Sequence, residues 1–161
     1  RAPVLLEKSP PNLVRTRFLQ YVFPNSYFIT ILRHPVAISY ATHRRTKRSI
    51  FSLIQHWLIC HNRFYEDREY VKNVHVIKYE DLVSSPQKVM DTIYAFLGVK
   101  SVSMIQKVNS GINDKYFTQW ERDQKRIFDR RQVRRAMNEL NKSVKQFGYS
   151  LKNLEWIGDH P

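Results

Sequence analysis

Tyr27-Phe28-Ile29-Thr30-Ile31-Leu32-Arg33-His34-Pro35 is the stretch on which the fold turns. Its first six residues form an unbroken apolar, β-branched and aromatic run, the pattern of a strand covered on both faces in a parallel sheet. Arg33 stands where that strand ends. Pro35 takes the first position of a helix that continues through Val36-Ala37-Ile38-Ser39-Tyr40-Ala41. Helix amino terminus and Arg33 thus share one rim, and the carboxyl edge of an open α/β sheet is where ligands bind.

Two other apolar runs end in charge in the same way. Val4-Leu5-Leu6 leads into Glu7-Lys8-Ser9-Pro10, and Val74-His75-Val76-Ile77-Lys78-Tyr79 leads into Glu80-Asp81-Leu82. Three strand ends of this kind describe a site for an anionic ligand. After the first, Ser9-Pro10-Pro11-Asn12 is a helix start signal, and Leu13, Phe18, Tyr21 and Val22 fall on one face before Phe23-Pro24-Asn25-Ser26 ends the helix. A longer amphipathic helix is expected from Ser49 to about Glu69, after a basic loop His43-Arg44-Arg45-Thr46-Lys47-Arg48. Ser85-Pro86 opens another helix, which Gly98 stops. Beyond it come a polar stretch, Asn109 to Lys115, a basic helix from about Arg130 to Phe147, and an irregular tail from Gly148 to Pro161 that packs through Tyr149, Leu151 and Trp156. Strands alternating with helices predict an α/β fold, a mostly parallel sheet flanked by helices, with no repeat and no second-domain boundary.

Composition narrows the function. The 161 residues are 42% hydrophobic and 13% aromatic, which is globular rather than disordered. Lys and Arg number 27 against 14 Asp and Glu, and the formal net charge of +13 favours polyanions and phosphorylated or sulfated ligands. Cys60 is the only cysteine, so neither a disulfide framework nor a cysteine-based zinc cluster can form within the chain. The six histidines do not group with carboxylates, and His56 and His61 miss the i, i+4 spacing of helical zinc ligands, so no metal is expected. No apolar stretch approaches the ~20 residues of a membrane helix. The chain opens on Arg1 and enters a strand almost at once, which predicts further sequence ahead of it.

The motifs taken in order, Glu7-Lys8-Ser9-Pro10-Pro11, Leu32-Arg33-His34-Pro35-Val36, and Lys78 to Pro86 followed by Phe96-Leu97-Gly98, resemble the sulfotransferase family. The resemblance covers roughly residues 4 to 120. It implies a P-loop-NTPase-like α/β fold and transfer of a sulfuryl group from 3'-phosphoadenosine 5'-phosphosulfate (PAPS) to a hydroxyl or amine of a glycan, peptide or small molecule, without a metal. It also implies an amino-terminal strand and a loop around the 5'-phosphosulfate. No glycine precedes Gly98, so residues 1–161 read as the carboxy-terminal part of one such domain, which would be inactive alone if nothing precedes Arg1, and the absence of a Gly-x-x-x-x-Gly-Lys-Ser/Thr loop disfavours a nucleoside triphosphatase.

By the same resemblance, Glu7 matches a catalytic base, and an acceptor hydroxyl needs one as its oxygen attacks sulfur. Lys8 matches a cation facing the transferring group, where it would stabilise developing charge. A surface Glu-Lys pair is the alternative reading of the two. Arg33 matches the arginine that pairs with the cofactor 3'-phosphate, a role suited to a guanidinium fork; capping of the strand end against a carboxylate is the alternative. The family's partner serine falls at Ala41, which leaves Ser39 or Thr42 to supply the hydroxyl, with helix amides assisting. Tyr79 matches a residue bordering the adenine, and Glu80 and Asp81 read as structural, capping the next turn. Asn109 to Lys115 is either a loop closing over the 3'-phosphate through Ser110, Gly111 and Lys115 or an ordinary connector. A rival reading is a non-enzymatic module binding RNA or another polyanion through Arg44, Arg45, Lys47, Arg48 and the Lys125-to-Arg135 face. The scatter of these cations over several elements and the lack of an RNA-binding motif disfavour it, and no nucleic-acid partner is expected.

Overall fold

The computed structural model describes residues 4–103, 109–126 and 130–154. Its elements run α1 (Thr16–Val22), β1 (Phe28–Leu32), α2 (Pro35–Thr46), α3 (Ile50–Arg68), β2 (Val74–Lys78), α4 (Tyr79–Ser84), α5 (Pro86–Leu97), α6 (Asp114–Lys125), α7 (Arg130–Glu139) and α8 (Asn141–Lys145). Short 3-10 turns at Pro10–Val14 and Ser110–Ile112 complete the set. β1 and β2 pair in parallel from Phe28↔Val74 to Leu32↔Lys78, joined by the α2–α3 crossover that parallel strands require.

The two faces of this sheet are covered unequally. Thr30 and Leu32 face the main core, where α2, α3, α6, α7, α8 and the segment after α8 pack around Tyr40, Ile54, Trp57, Trp120, Val133 and Tyr149. On the opposite face α5 packs on β2 through Ile77, Val89 and Ile93. Ile29 and Ile31 of β1 lie on that side and stay 38% and 51% exposed. The expected burial of this strand on both faces is therefore corrected: the apolar run is buried on the side of α2 and α3, and Ile29 and Ile31 stay exposed on the side where α5 packs on Ile77.

The chain ahead of β1 departs further from expectation. Val4, Leu5 and Leu6 are 95%, 91% and 89% exposed and form no strand, because the segment makes no ladder hydrogen bonds to a neighbour. The expected helix splits into the 3-10 turn and α1, with Phe18 and Tyr21 outward and Thr16 the buried residue. Residues 43–46, expected in a loop, extend α2; His43, Arg44 and Arg45 occupy its last turn, where cations suit the helix dipole, and Lys47 ends it in the left-handed conformation at φ 57°. The expected basic helix breaks near Leu140 into α7 and α8. Elsewhere α3 starts at Ser49, whose hydroxyl accepts from Ser52 N, and α5 ends at Gly98 with φ 65°. Tyr149 and Leu151 are fully buried; Trp156 lies outside the described residues.

Two buried histidines tie the fold to pH. His34 Nδ1 accepts from Val36 N at 3.3 Å, so Nε2 carries the proton and donates to the Ser150 carbonyl at 3.2 Å. His61 stacks on Trp57 with centroids 4.0 Å apart and donates from Nδ1 to the Trp57 carbonyl at 2.7 Å. Burial lowers both rings to a pKa of about 4, the backbone hydrogen bonds offsetting part of the fall. Unfolded, they titrate near 6.5. Between those values the unfolded chain holds more protons, so stability is full above pH 6.5 and falls as pH drops towards 4. The expected loss is roughly 1.4 kcal/mol per pH unit for each ring, read from denaturant midpoints between pH 7.5 and 5.

Candidate functional site

The register of the two strands assembles the site. Leu32 pairs with Lys78, so the next residue on each strand, Arg33 and Tyr79, emerges side by side at the carboxyl edge. The Arg33 guanidinium carbon lies 4.3 Å from the centre of the Tyr79 ring, a cation–π contact worth about 0.5–2 kcal/mol depending on solvent access. The Tyr116 ring is 5.9 Å from the same carbon and 5.0 Å from Lys115 Nζ. Arg33, Tyr79 and Lys115 are thus brought together from three elements.

Asn113, between the Ser110–Ile112 turn and α6, fixes the guanidinium. Its Oδ1 accepts from Arg33 Nε at 2.9 Å and Nη2 at 2.7 Å. Its Nδ2 donates to Glu80 Oε1 at 3.0 Å, the same oxygen that accepts from His34 N at 3.0 Å. Tyr149 OH donates to Glu80 Oε2 at 2.8 Å. Burial first, and the Glu80 charge second, push the Tyr149 phenol well above its usual range, so it remains a donor. Arg33 Nη1 makes no hydrogen bond among the described residues, and no carboxylate there lies within ion-pair distance of the guanidinium. Among the described residues, the cation is held by neutral groups.

The remaining candidates sit apart. Glu7 and Lys8 are exposed on the unpaired amino-terminal segment, without a hydrogen bond or ion pair among the described residues. Ser39 is 1% exposed on α2 and its hydroxyl has no hydrogen-bond partner among the described residues, while Thr42 is half-buried and its carbonyl accepts from Thr46 Oγ1. Ser110 opens the 3-10 turn, and Gly111 N donates to Asn109 Oδ1 at 3.1 Å. The expected help from α2 amides is not seen at Val36: Pro35 has no N–H, and His34 Nδ1 takes the Val36 amide. The expected capping of the next turn by Glu80 is corrected: its carboxylate reaches across to accept from His34 N and Asn113 Nδ2 instead. Sequence reasoning passed over Asn113 as a site residue, although an Asn just before a helix is a recognised signal for a side chain turned to backbone or neighbours.

Among the described residues, no three His, Cys, Asp or Glu side chains are grouped to hold a metal ion, and no helix is long and apolar enough to cross a membrane. Chemically, the cluster can present one fixed, unneutralised guanidinium between aromatic rings to an anion. Removing one spoke of the network tests its cohesion. Tyr149→Phe deletes a donor to Glu80 and should cost about 1–2 kcal/mol in urea unfolding, with an unchanged m-value.

No curated protein matches the chain. The family model described as "Sulfotransferase family" matches residues 1–104, well over half of the chain, a span that includes Glu7-Lys8, Arg33-His34 and Tyr79-Glu80. With Arg33 held ready at the carboxyl edge of a parallel sheet and that match spanning it, the chain belongs to the sulfotransferase family.

Proposed function

We propose that the chain takes part in sulfuryl transfer from PAPS to a hydroxyl or amine of an acceptor, and that Arg33 anchors the 3'-phosphate of the nucleotide. The observation that carries this reading is the guanidinium itself: half-buried, stacked on Tyr79, hydrogen-bonded to an amide oxygen, and, among the described residues, with no carboxylate partner and with Nη1 uncommitted. A bound phosphate would find donors already aimed, so little side-chain entropy remains to be lost. Lys115 adds a second positive charge beside Tyr116, and Tyr79 offers the nucleoside an aromatic border. Ser39, whose hydroxyl is unpartnered among the described residues, Thr42, Ser110 and Gly111 are the further candidate ligands for the nucleotide.

The bound donor supplies the sulfuryl group. Glu7 is the proposed base that takes the acceptor proton as its oxygen attacks, and Lys8 the proposed cation that stabilises charge on the departing phosphate. Both side chains are exposed and unpaired among the described residues, so neither has to break an existing contact to act. The acceptor's class is left to elements outside this cluster; the basic end of α2, Arg44 to Arg48, suits an anionic glycan or peptide.

Calorimetric titration tests the nucleotide assignment. Adenosine 3',5'-bisphosphate should bind saturably and at least about tenfold more tightly than adenosine 5'-monophosphate, and Arg33→Ala should erase that preference. Equal binding of the two nucleotides, with affinity rising along an RNA length series, would instead identify a polyanion-binding module. In the active enzyme, Glu7→Gln should cut turnover by about 100-fold or more while sparing nucleotide binding; unchanged turnover removes Glu7 from the mechanism.

A further inference from the structure

Glu80 lies one residue beyond Tyr79, on whose ring Arg33 stacks, yet no Arg33–Glu80 ion pair is present among the described residues. Asn113 stands between them instead. Its amide is oriented by its two neighbours: the oxygen must face the donors of Arg33 and the nitrogen must face the carboxylate of Glu80, across distances of 2.7, 2.9 and 3.0 Å. The side chain is almost fully buried, at 6% exposure, so water does not compete for either end.

We infer that Asn113, held by Glu80, is the positioning residue of the anion site: it closes the Nε–Nη2 edge of Arg33, leaves the Nη1 end to receive the phosphate, and insulates the guanidinium from the Glu80 charge. This rests on the reading of Arg33 as the 3'-phosphate anchor and deepens it. A guanidinium offers two forked edges to an oxyanion, the Nε–Nη2 edge and the Nη1–Nη2 edge. With the first occupied by Asn113, only the second can be bidentate, so one approach direction is selected for the ligand. A carboxylate at position 113 could accept from the same edge, but it would cancel the charge and turn an oxygen instead of an N–H towards Glu80 Oε1. An amide holds the geometry and leaves the charge intact, which is the combination an anion site needs. Glu80 completes the arrangement, because its Oε1 fixes the amide while its Oε2 is anchored by Tyr149 from beyond α8.

Two variants and two readouts decide the matter. Asn113→Asp should lower affinity for adenosine 3',5'-bisphosphate by on the order of 10- to 100-fold, with a much smaller effect on adenosine 5'-monophosphate, because it sets a carboxylate against the Arg33 edge, whereas Asn113→Ala loses the same hydrogen bond to Glu80 without adding that charge. Asn113→Ala, which frees the edge but adds no charge, should lose less of the 3'-phosphate preference than Asn113→Asp. If Asn113→Asp leaves the preference intact, or Asn113→Ala loses more, the insulating role is overturned; circular dichroism establishes that each variant is folded, and Asn113→Ala carries the comparison if Asn113→Asp is not. The second readout does not depend on nucleotide. The Arg33 Nε–H resonance should be protected from solvent exchange in the parent protein and lose that protection in Asn113→Ala. Equal protection in both overturns the positioning role. A parent protein that does not distinguish the two nucleotides, yet shows the protected resonance, removes the 3'-phosphate assignment and leaves Asn113 as the residue that fixes Arg33.

Discussion

One pairing, Leu32 with Lys78 in a two-stranded parallel ladder, sets the positions of the groups that matter. A parallel register places residues one step past the last pair at the same height on the sheet edge, and here those residues are an arginine and a tyrosine followed by a glutamate. A slip of one residue would turn every side chain of the strand to the other face and bury Arg33 or Tyr79 against helices. The register is protected by the core below it: Leu32 is 1% exposed among side chains of α2 and α3, and Ile77 packs on α5. Core packing and site geometry are therefore the same constraint seen from two ends of a strand.

The network built on that edge is polar and half-buried, and it is paired at its centre. Glu80 accepts three hydrogen bonds, Asn113 is engaged at both ends of its amide, and Arg33 Nη1 is left uncommitted among the described residues. Such a network is stiff, because moving any member leaves another unpaired in a region where water does not readily substitute. Stiffness of this kind suits a nucleotide anchor, which gains affinity when its donors are already aimed.

Much of the arrangement was legible in the sequence, and the parts that were not share a cause. The apolar run from Tyr27 to Leu32, the Pro35 helix start, the Ser49 cap and the Gly98 stop are local signals, and local chemistry was enough to read them. Arg33 stood out because it closes such a run. The unpaired state of Val4–Leu6 was not legible, since a strand exists only with a partner edge and three apolar residues do not specify one. Asn113 and Tyr149 were missed as site residues because their roles arise from contacts 80 and 69 residues away in sequence, to Arg33 and Glu80. The break at Leu140 was missed for a related reason: the helical periodicity of the flanking residues continues through it, and the packing of Val144 into the core beside Tyr149 is a tertiary matter.

The stretch matched by the family model ends at residue 104, yet Asn113, Tyr116, Trp120 and Tyr149 all lie beyond it. A chain cut at that point would retain every recognisable motif and lose the amide that steadies Arg33, the phenol that steadies Glu80 and a large share of the side chains around which α2 and α3 close. The recognisable part of this polypeptide and its unit of cooperative folding are thus different lengths. What the carboxy-terminal third brings to the site is an amide, a phenol and a filled core, each returned to an edge laid down far earlier in the chain.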